Sequence, residues 1–448
     1  MGLLHVERAR RGTAYISCCM TFALSFVLCK LIAVPRGIFP ILRSSVATTK
    51  SEQLLCAYAA AYVSRREGAA RVPGMLARAH EPAFLQLVHD EGMAPVVLSV
   101  YNRNPDSCPG LPVTTRAALR EQKESQHMEC LRFTGTLVEV VRALEAEGIA
   151  TIPFKGPTFA HAYYGDIGRR SFGDLDLLVP REQLRRAKRV LIERGFCPQL
   201  DLSPEEEQAY IDQRLAYAFL HAEEGTPVEL HWSVLPLHNG STLPSELLWQ
   251  RHRWAAFQGE RVRSLDPALY AVYLCAHAAK HRWAKLKWLV DIALLIQSLS
   301  PAERQDVAEL ARALGFARIV GTGVRLLRDV MGVSPAHPLQ DLERDPRARE
   351  LATEVQQRWL FDKLGEGPFG PTTHFHLRER ERLRDRIPFA LHSLRLLVQP
   401  SEKDQAFIEL PERLKFLYPL IRPIRVAGER LRKSPSSKNY SERRGDGR

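Results

Sequence analysis

The amino-acid sequence predicts an α+β fold, a small mixed β-sheet with flanking helices inside a mostly helical chain. Short β-branched or alternating runs are confined to the stretch between Gly148 and Trp232. Amphipathic helical periods fill the chain on both sides, and Gly or Pro fences the extended runs. Of the 448 residues, 45% are hydrophobic and 25% charged, a balance that gives a globular protein with room for two or three structural units.

The helical pattern begins at about Ser51, where Leu54, Leu55, Tyr58 and Tyr62 share one face. Phe84, Leu85, Leu87 and Val88 mark a second helix. Asn102 to Gly110 is a turn-rich break. A long helix is predicted from about Thr114 to Glu147, closed by Gly148, which suits a left-handed cap. Ile149 to Phe154 is short, β-branched and extended. Lys155-Gly156-Pro157 turns the chain, and Thr158 to Tyr164 reads as a helix. Asp174 to Val179 is a strand stopped by Pro180, followed by an amphipathic helix from Arg181 to Arg194. Pro227 to Trp232 is a further strand. Ala268 to Leu299 is the clearest later helical stretch, with a break in its middle. Ile387-Pro388 and Gln399-Pro400-Ser401 punctuate the C-terminal helices, and from Ser434 no apolar period survives, so the tail is expected to be disordered. The predicted organisation is an apolar segment at 1–50, a helical region at 51–147, the sheet-bearing core at 148–265, a helical region at 266–433 and a basic tail at 434–448.

The chemistry concentrates in the core. Asp174 and Asp176 are two apart on a predicted strand, so both side chains leave the same face while Leu175 and Leu177 point into the interior. Two carboxylates this close repel unless a cation or a proton sits between them. Such a hard oxygen cluster suits Mg²⁺, with Mn²⁺ as the substitute, and Glu229 on a second strand can complete it. Lys155 and Gly156 stand between a strand and a helix, where phosphate is readily received. Arg169 and Arg170 can offer forked contacts to phosphate oxygens. Each element has a plainer reading. An Asp-x-Asp is common in turns, a Lys-Gly can serve only the turn, and a single Glu on a strand is ordinary surface. Their conjunction raises the weight.

Read together, Phe154-Lys155-Gly156, Tyr163-Tyr164, Arg170 and Gly173 to Val179 resemble the uncharacterised nucleotidyltransferase family of the polymerase-beta-like superfamily. Val228 to Trp232 resembles that family's third-carboxylate strand. The similarity continues through His277, Lys280-His281, Trp283, Leu286, Trp288 and Asp291, and again from Leu410-Pro411 to Arg425. It implies that 148–265 is the catalytic core, and that Asp174, Asp176 and Glu229 are both metal ligands and catalytic groups. It also implies transfer of a nucleoside monophosphate from a triphosphate, most readily ATP, with release of pyrophosphate. Lys155, Gly156, Arg170 and Lys280 are the expected phosphate contacts. Where the wider superfamily has Gly-Ser or Gly-Gly, this chain has Lys155-Gly156-Pro157, and the spacing from Gly156 to Asp174 is longer than in many relatives. The acceptor is not disclosed.

Other features carry bland readings. His277 and His281 are four apart on a helix, but lack the Glu of a metalloprotease motif, so zinc is disfavoured and packing or substrate contact preferred. His231 and Trp232 read as packing beside the sheet. Arg378 to Arg386 has the alternating signs of an exposed helix. Lys plus Arg exceed Asp plus Glu by 63 to 51, a net charge of +12 that favours anionic ligands without choosing among them. The rivals are a non-catalytic nucleotide-binding or regulatory protein on the same scaffold, and a basic protein bound to RNA or a membrane surface. Nucleic acid is not favoured, for lack of a reader module. Eight scattered cysteines without a Cys-x-x-Cys pair suit reduced thiols, and the triphosphate chemistry favours the cytoplasm. Ala14 to Cys29 carries no charge and Leu31 to Val34 extends it past Lys30, the outline of a secretory signal or a short membrane anchor. A start further downstream is a third reading, and membrane contact through 14–34 is kept as an alternative.

Overall fold

The computed structural model describes residues 49–64, 81–103, 105, 111–235, 243–361 and 371–398, with scattered positions between 407 and 425. The apolar stretch 14–34, the Pro-Ser turn at 399–401, most of the Leu410–Arg425 similarity and the basic tail lie outside the described residues. Among the described residues no helix is long and apolar enough to cross a membrane.

The polypeptide enters the core from a long helix, α1 (Val113–Ala146). Gly148 then adopts a φ of 67°, the left-handed conformation that favours glycine. Strand β1 (Ile152–Phe154) follows, then a single helical turn (Gly156–Phe159) that widens into a π-helical turn (Ala160–Tyr164). β2 (Leu175–Leu178) is shorter at its start than the alternation predicts, because Asp174 belongs to the bend before it. Helix α2 (Leu184–Glu193), β3 (Phe196–Pro198), β4 (Ala216–His221) and β5 (Pro227–His231) complete a five-stranded sheet ordered β1-β2-β5-β4-β3. β2 and β5 run parallel and all other pairs are antiparallel, so the sheet is mixed, as the sequence predicts.

Two strand pairs escape the sequence reading. β3 and β4 hold mixed surface and core residues without a clean period. β6 (His252–Phe257) and β7 (Glu260–Leu265) form a separate hairpin. Its turn, Gln258-Gly259, has φ of 51° and 80°, the positive pair of a tight two-residue hairpin.

The two faces of the five-stranded sheet bury different cores. Leu175, Leu177, Val179, Val228 and Leu230 pack with Phe133, Leu137, Val140 and Leu144 of α1 and with Leu184, Ala187 and Leu191 of α2. Ile152, Phe154 and Leu178 face the other way, into a larger core built with α3 (Pro267–Lys280), α4 (Leu286–Ser298) and the helices beyond. The predicted break in the 268–299 stretch is the turn between α3 and α4. By the strict alternation of β2 and β5, Asp176, Glu229 and His231 lie on the α3 side. The C-terminal helical region is therefore the second wall of any site on that face.

Candidate active site

The register sets two acids side by side. Asp176 and Glu229 are direct partners across the parallel β2–β5 pair, so their side chains emerge together from the same face. His231, two residues beyond Glu229, emerges there as well. Its Nε2 lies 2.8 Å from Asp176 Oδ1 and 3.1 Å from Glu229 Oε2. Asp176, Glu229 and His231 each offer a ligand atom, all within 4.8 Å of one another, and could hold a metal ion. Asp174 lies just outside this trio. It is exposed at the mouth, where it feels the charges of Asp176, Lys155, Glu229 and His231.

Lys155 supplies the nearest fixed cation. Its Nζ is 3.0 Å from Asp176 Oδ2, although the geometry leaves that buried oxygen without a well-directed hydrogen bond. The backbone of Lys155 is strained, with φ of 59° in a residue that has a Cβ, an arrangement that costs on the order of 1–3 kcal/mol. Surrounding contacts hold it there. Its N–H donates to the Tyr270 hydroxyl from α3, and its carbonyl accepts from the Thr158 hydroxyl at 3.1 Å and the Phe159 N–H at 3.1 Å. Nζ also lies 5.4 Å from the Phe154 ring centre and 5.8 Å from that of Tyr273, rings that stabilise a cation over their faces. Gly156, at φ of 48°, follows at the start of the turn.

These neighbours set the charges. Burial opposes ionisation of Asp176, but the Lys155 cation and the His231 hydrogen bond overcome it and hold the carboxyl well below its ordinary range. The protein packed around Asp174 strips part of its hydration although the side chain keeps solvent access, and this with the Asp176 charge pushes its carboxyl upward. The two carboxyls are driven apart, the physical expectation for a pair that shares one field. Glu229 is lowered by its hydrogen bond to His231. Burial alone would lower His231, yet its bonds to the two carboxylates raise it. Two carboxylates, one with a buried oxygen that lacks a directed hydrogen bond, and an imidazole fit a divalent cation.

The remaining expected residues divide. Arg170 is buried and forks onto Asp291 of α4, with Nε 2.8 Å from Oδ1 and a terminal nitrogen 2.8 Å from Oδ2. Tyr164 donates to the same carboxylate at 2.7 Å. Arg170 is thus committed to a carboxylate and ties the loop before Asp174 to α4. Arg169 lies at the surface, 3.6 Å from Asp166. Lys280, in the last turn of α3, is exposed and electrostatically coupled to Lys155, Glu229 and Asp176. Trp232 packs in the α1-side core, edge-on to Tyr217, as its plain reading expects. His231 does not follow that reading, and its signal was present. In Val228-Glu229-Leu230-His231 the period of two puts the histidine on the carboxylate face. Tyr270 and Tyr273 gave no comparable signal, since only tertiary packing brings their face of α3 to β1.

Two acidic strands paired in a small mixed sheet, with a basic turn against them, define a transferase of nucleotidyl groups. The family model described as uncharacterised nucleotidyltransferase matches residues 78–332, more than half of the chain, and the chain belongs to that family. No curated protein matches it.

The α3 end of the site makes stability sensitive to acid. Burial, and then the Lys155 charge, holds His277 well below its ordinary value of 6.5, so the folded chain keeps it neutral. Below about pH 6.5 the unfolded chain takes up a proton that the folded chain refuses, and stability falls with pH. His231, raised, contributes the opposite trend, with stability present below pH 6.5 and lost as pH rises through its folded value. His277→Gln is therefore expected to flatten the fall in melting temperature between pH 6.5 and 5. An unchanged slope would show that His277 titrates alike in both states.

Proposed function

We propose that this chain is an Mg²⁺-dependent enzyme, with Mn²⁺ as substitute, that moves a nucleoside monophosphate from a nucleoside triphosphate to an acceptor hydroxyl and releases pyrophosphate. ATP is the first donor to test. The observation that carries the reading is the direct pairing of Asp176 with Glu229, bridged by His231, on a sheet face that also carries Lys155. Asp174, Asp176 and Glu229 would hold the divalent ion, with His231 fixing the two strand carboxylates. The bound ion would supply charge neutralisation at the reacting phosphate.

The chain's own residues do the rest. Lys155 pairs with Asp176 before substrate arrives, and its Nζ is the nearest cation to meet the triphosphate oxygens. Gly156 keeps the turn beside it open for close approach of phosphate, and exposed Lys280 offers a second cation from α3. Arg170, through Asp291, fixes the loop that delivers Asp174 and Asp176. As the alternative to completing the ion's ligand set, Glu229, ionised and half-exposed, can take the proton of the acceptor hydroxyl as general base. The core 148–265 carries the acidic strands, and α3 and α4 of the helical region 266–433 close their face. The cytoplasm, which supplies triphosphate, is the compartment this reading implies.

The test is metal-dependent release of pyrophosphate from α-labelled ATP, with label transferred to an acceptor drawn from hydroxylated metabolites, peptides and RNA ends. Glu229→Gln is expected to lower the rate by about 10²–10⁴-fold, the range for loss of a positioned base. Full activity without added divalent ion, or in Glu229→Gln, would contradict the assignment.

A further inference from the structure

We propose that His277, His281 and Trp288 form an aromatic platform that seats the base of the nucleoside triphosphate; the inference rests on the nucleotidyl-transfer reading above. The platform begins where the cation ends. Lys155 Nζ lies over the Tyr273 ring, and the Tyr273 ring centre is 5.9 Å from that of His277. His277 is 5.0 Å from His281 and 5.4 Å from Trp288, and His281 is 5.3 Å from Trp288. Tyr273, His277 and His281 recur every four residues, so they form one stripe along α3 and its capping residue His281.

Burial falls along that stripe. Tyr273 is buried, His277 and Trp288 are half-buried, and His281 is exposed. A ligand lying on it would place its anionic end at Lys155 and its flat apolar part toward solvent. From Tyr273 to His281 the helix rises about 12 Å, enough to separate triphosphate from base by a ribose. Lys280, exposed beside His281 at the end of α3, adds a cation to this end of the stripe.

The platform is held stiffly. The turn after α3 carries two consecutive residues with positive φ, Arg282 at 57° and Trp283 at 59°, an unfavourable backbone that its contacts maintain. The Trp283 ring is wholly buried, the backbone N–H of Trp283 donates to the Ala278 carbonyl at 2.7 Å, and the Phe361 backbone N–H donates to the Ala284 carbonyl at 3.0 Å. Both histidines are held below their ordinary value by burial and by nearby cations, so neutral rings face the ligand at pH 7. A metal role is not supported. Among the described residues, the cluster of three or more metal-binding side chains is Asp176, Glu229 and His231, which omits this pair.

Isothermal titration on the full chain separates base from phosphate. ATP and inorganic tripolyphosphate are titrated with Mg²⁺ into wild type, His281→Ala, His281→Phe and Trp288→Leu. The expected result is roughly tenfold weaker ATP binding in His281→Ala, the effect of one lost stacking partner. Tripolyphosphate binding should be unchanged there, and His281→Phe should retain ATP affinity. Trp288→Leu should repeat the selective loss. ATP affinity unchanged in both ring deletions, or equal weakening of ATP and tripolyphosphate, would overturn the platform. If wild type binds tripolyphosphate as tightly as ATP, the base has no seat and the platform fails while the phosphate site stands. If folded wild type binds neither, the nucleotide reading fails and takes the platform with it.

Discussion

Asp176→Asn is expected to lower nucleotidyl transfer by on the order of a thousandfold or more while the chain still folds. Asp176 touches both Lys155, through Oδ2, and His231, through Oδ1. Its neighbours keep it ionised far below neutral pH, so at pH 7 it presents a full negative charge at the centre of the cluster. The amide has nearly the same shape but carries no charge. It would remove a metal ligand and several kcal/mol of transition-state charge stabilisation, which converts to the stated factor. Folding should suffer less, by about 1–3 kcal/mol for a buried hydrogen-bonded charge that loses its partner. Lys155 keeps some solvent access and His231 keeps Glu229, which limits the loss. Steady-state transfer beside a thermal melt checks both halves. Near-wild-type turnover by the folded variant would remove Asp176 from the chemistry.

Asp291→Ala is expected to be the largest single loss of stability, about 3–5 kcal/mol, because it strands a buried guanidinium. Arg170 is 6% exposed and Asp291 1%, so neither charge can turn to solvent. Tyr164 loses its acceptor in the same change. The pair joins the loop before β2 to α4, and a melted tie would also loosen the approach of Asp174. Replacing both partners, Arg170→Met with Asp291→Leu, should recover most of the stability, since no buried charge is left unpaired. Transfer should not recover with it if the fork positions the carboxylate loop. Urea unfolding of wild type and the two variants makes the comparison. A loss below about 1 kcal/mol in Asp291→Ala would show that the fork is dispensable.

The arginine also marks the limit of what the sequence discloses. Its place just before Asp174 makes phosphate the natural partner, yet the partner is 121 residues away on α4. No local pattern reports a contact at that separation. The carboxylates are the opposite case. Period-two alternation puts Asp176 and Glu229 on exposed-looking faces of two short strands, and only their mutual register, Asp176 against Glu229, needed the structure. The long helix α1 and the broken α3–α4 stretch were legible from apolar spacing and a terminal glycine. β3 and β4 were not, because an edge strand and its neighbour mix solvent-facing and core residues. The β6–β7 hairpin announced itself only by Gly259, whose positive φ closes the turn. Packing beside the sheet is the plainer reading of His231, yet its offset of two from Glu229 already puts it on the acidic face.

The central claim is that the Asp174–Asp176–Glu229 cluster binds a nucleoside triphosphate through a divalent cation. It is tested most directly by titrating ATP into the full chain with and without Mg²⁺, beside the Asp174→Asn/Asp176→Asn double variant. The expected result is saturable binding that requires Mg²⁺ in wild type and is lost in the folded double variant. Binding of ATP that is indifferent to Mg²⁺, or that survives in the double variant, would contradict it.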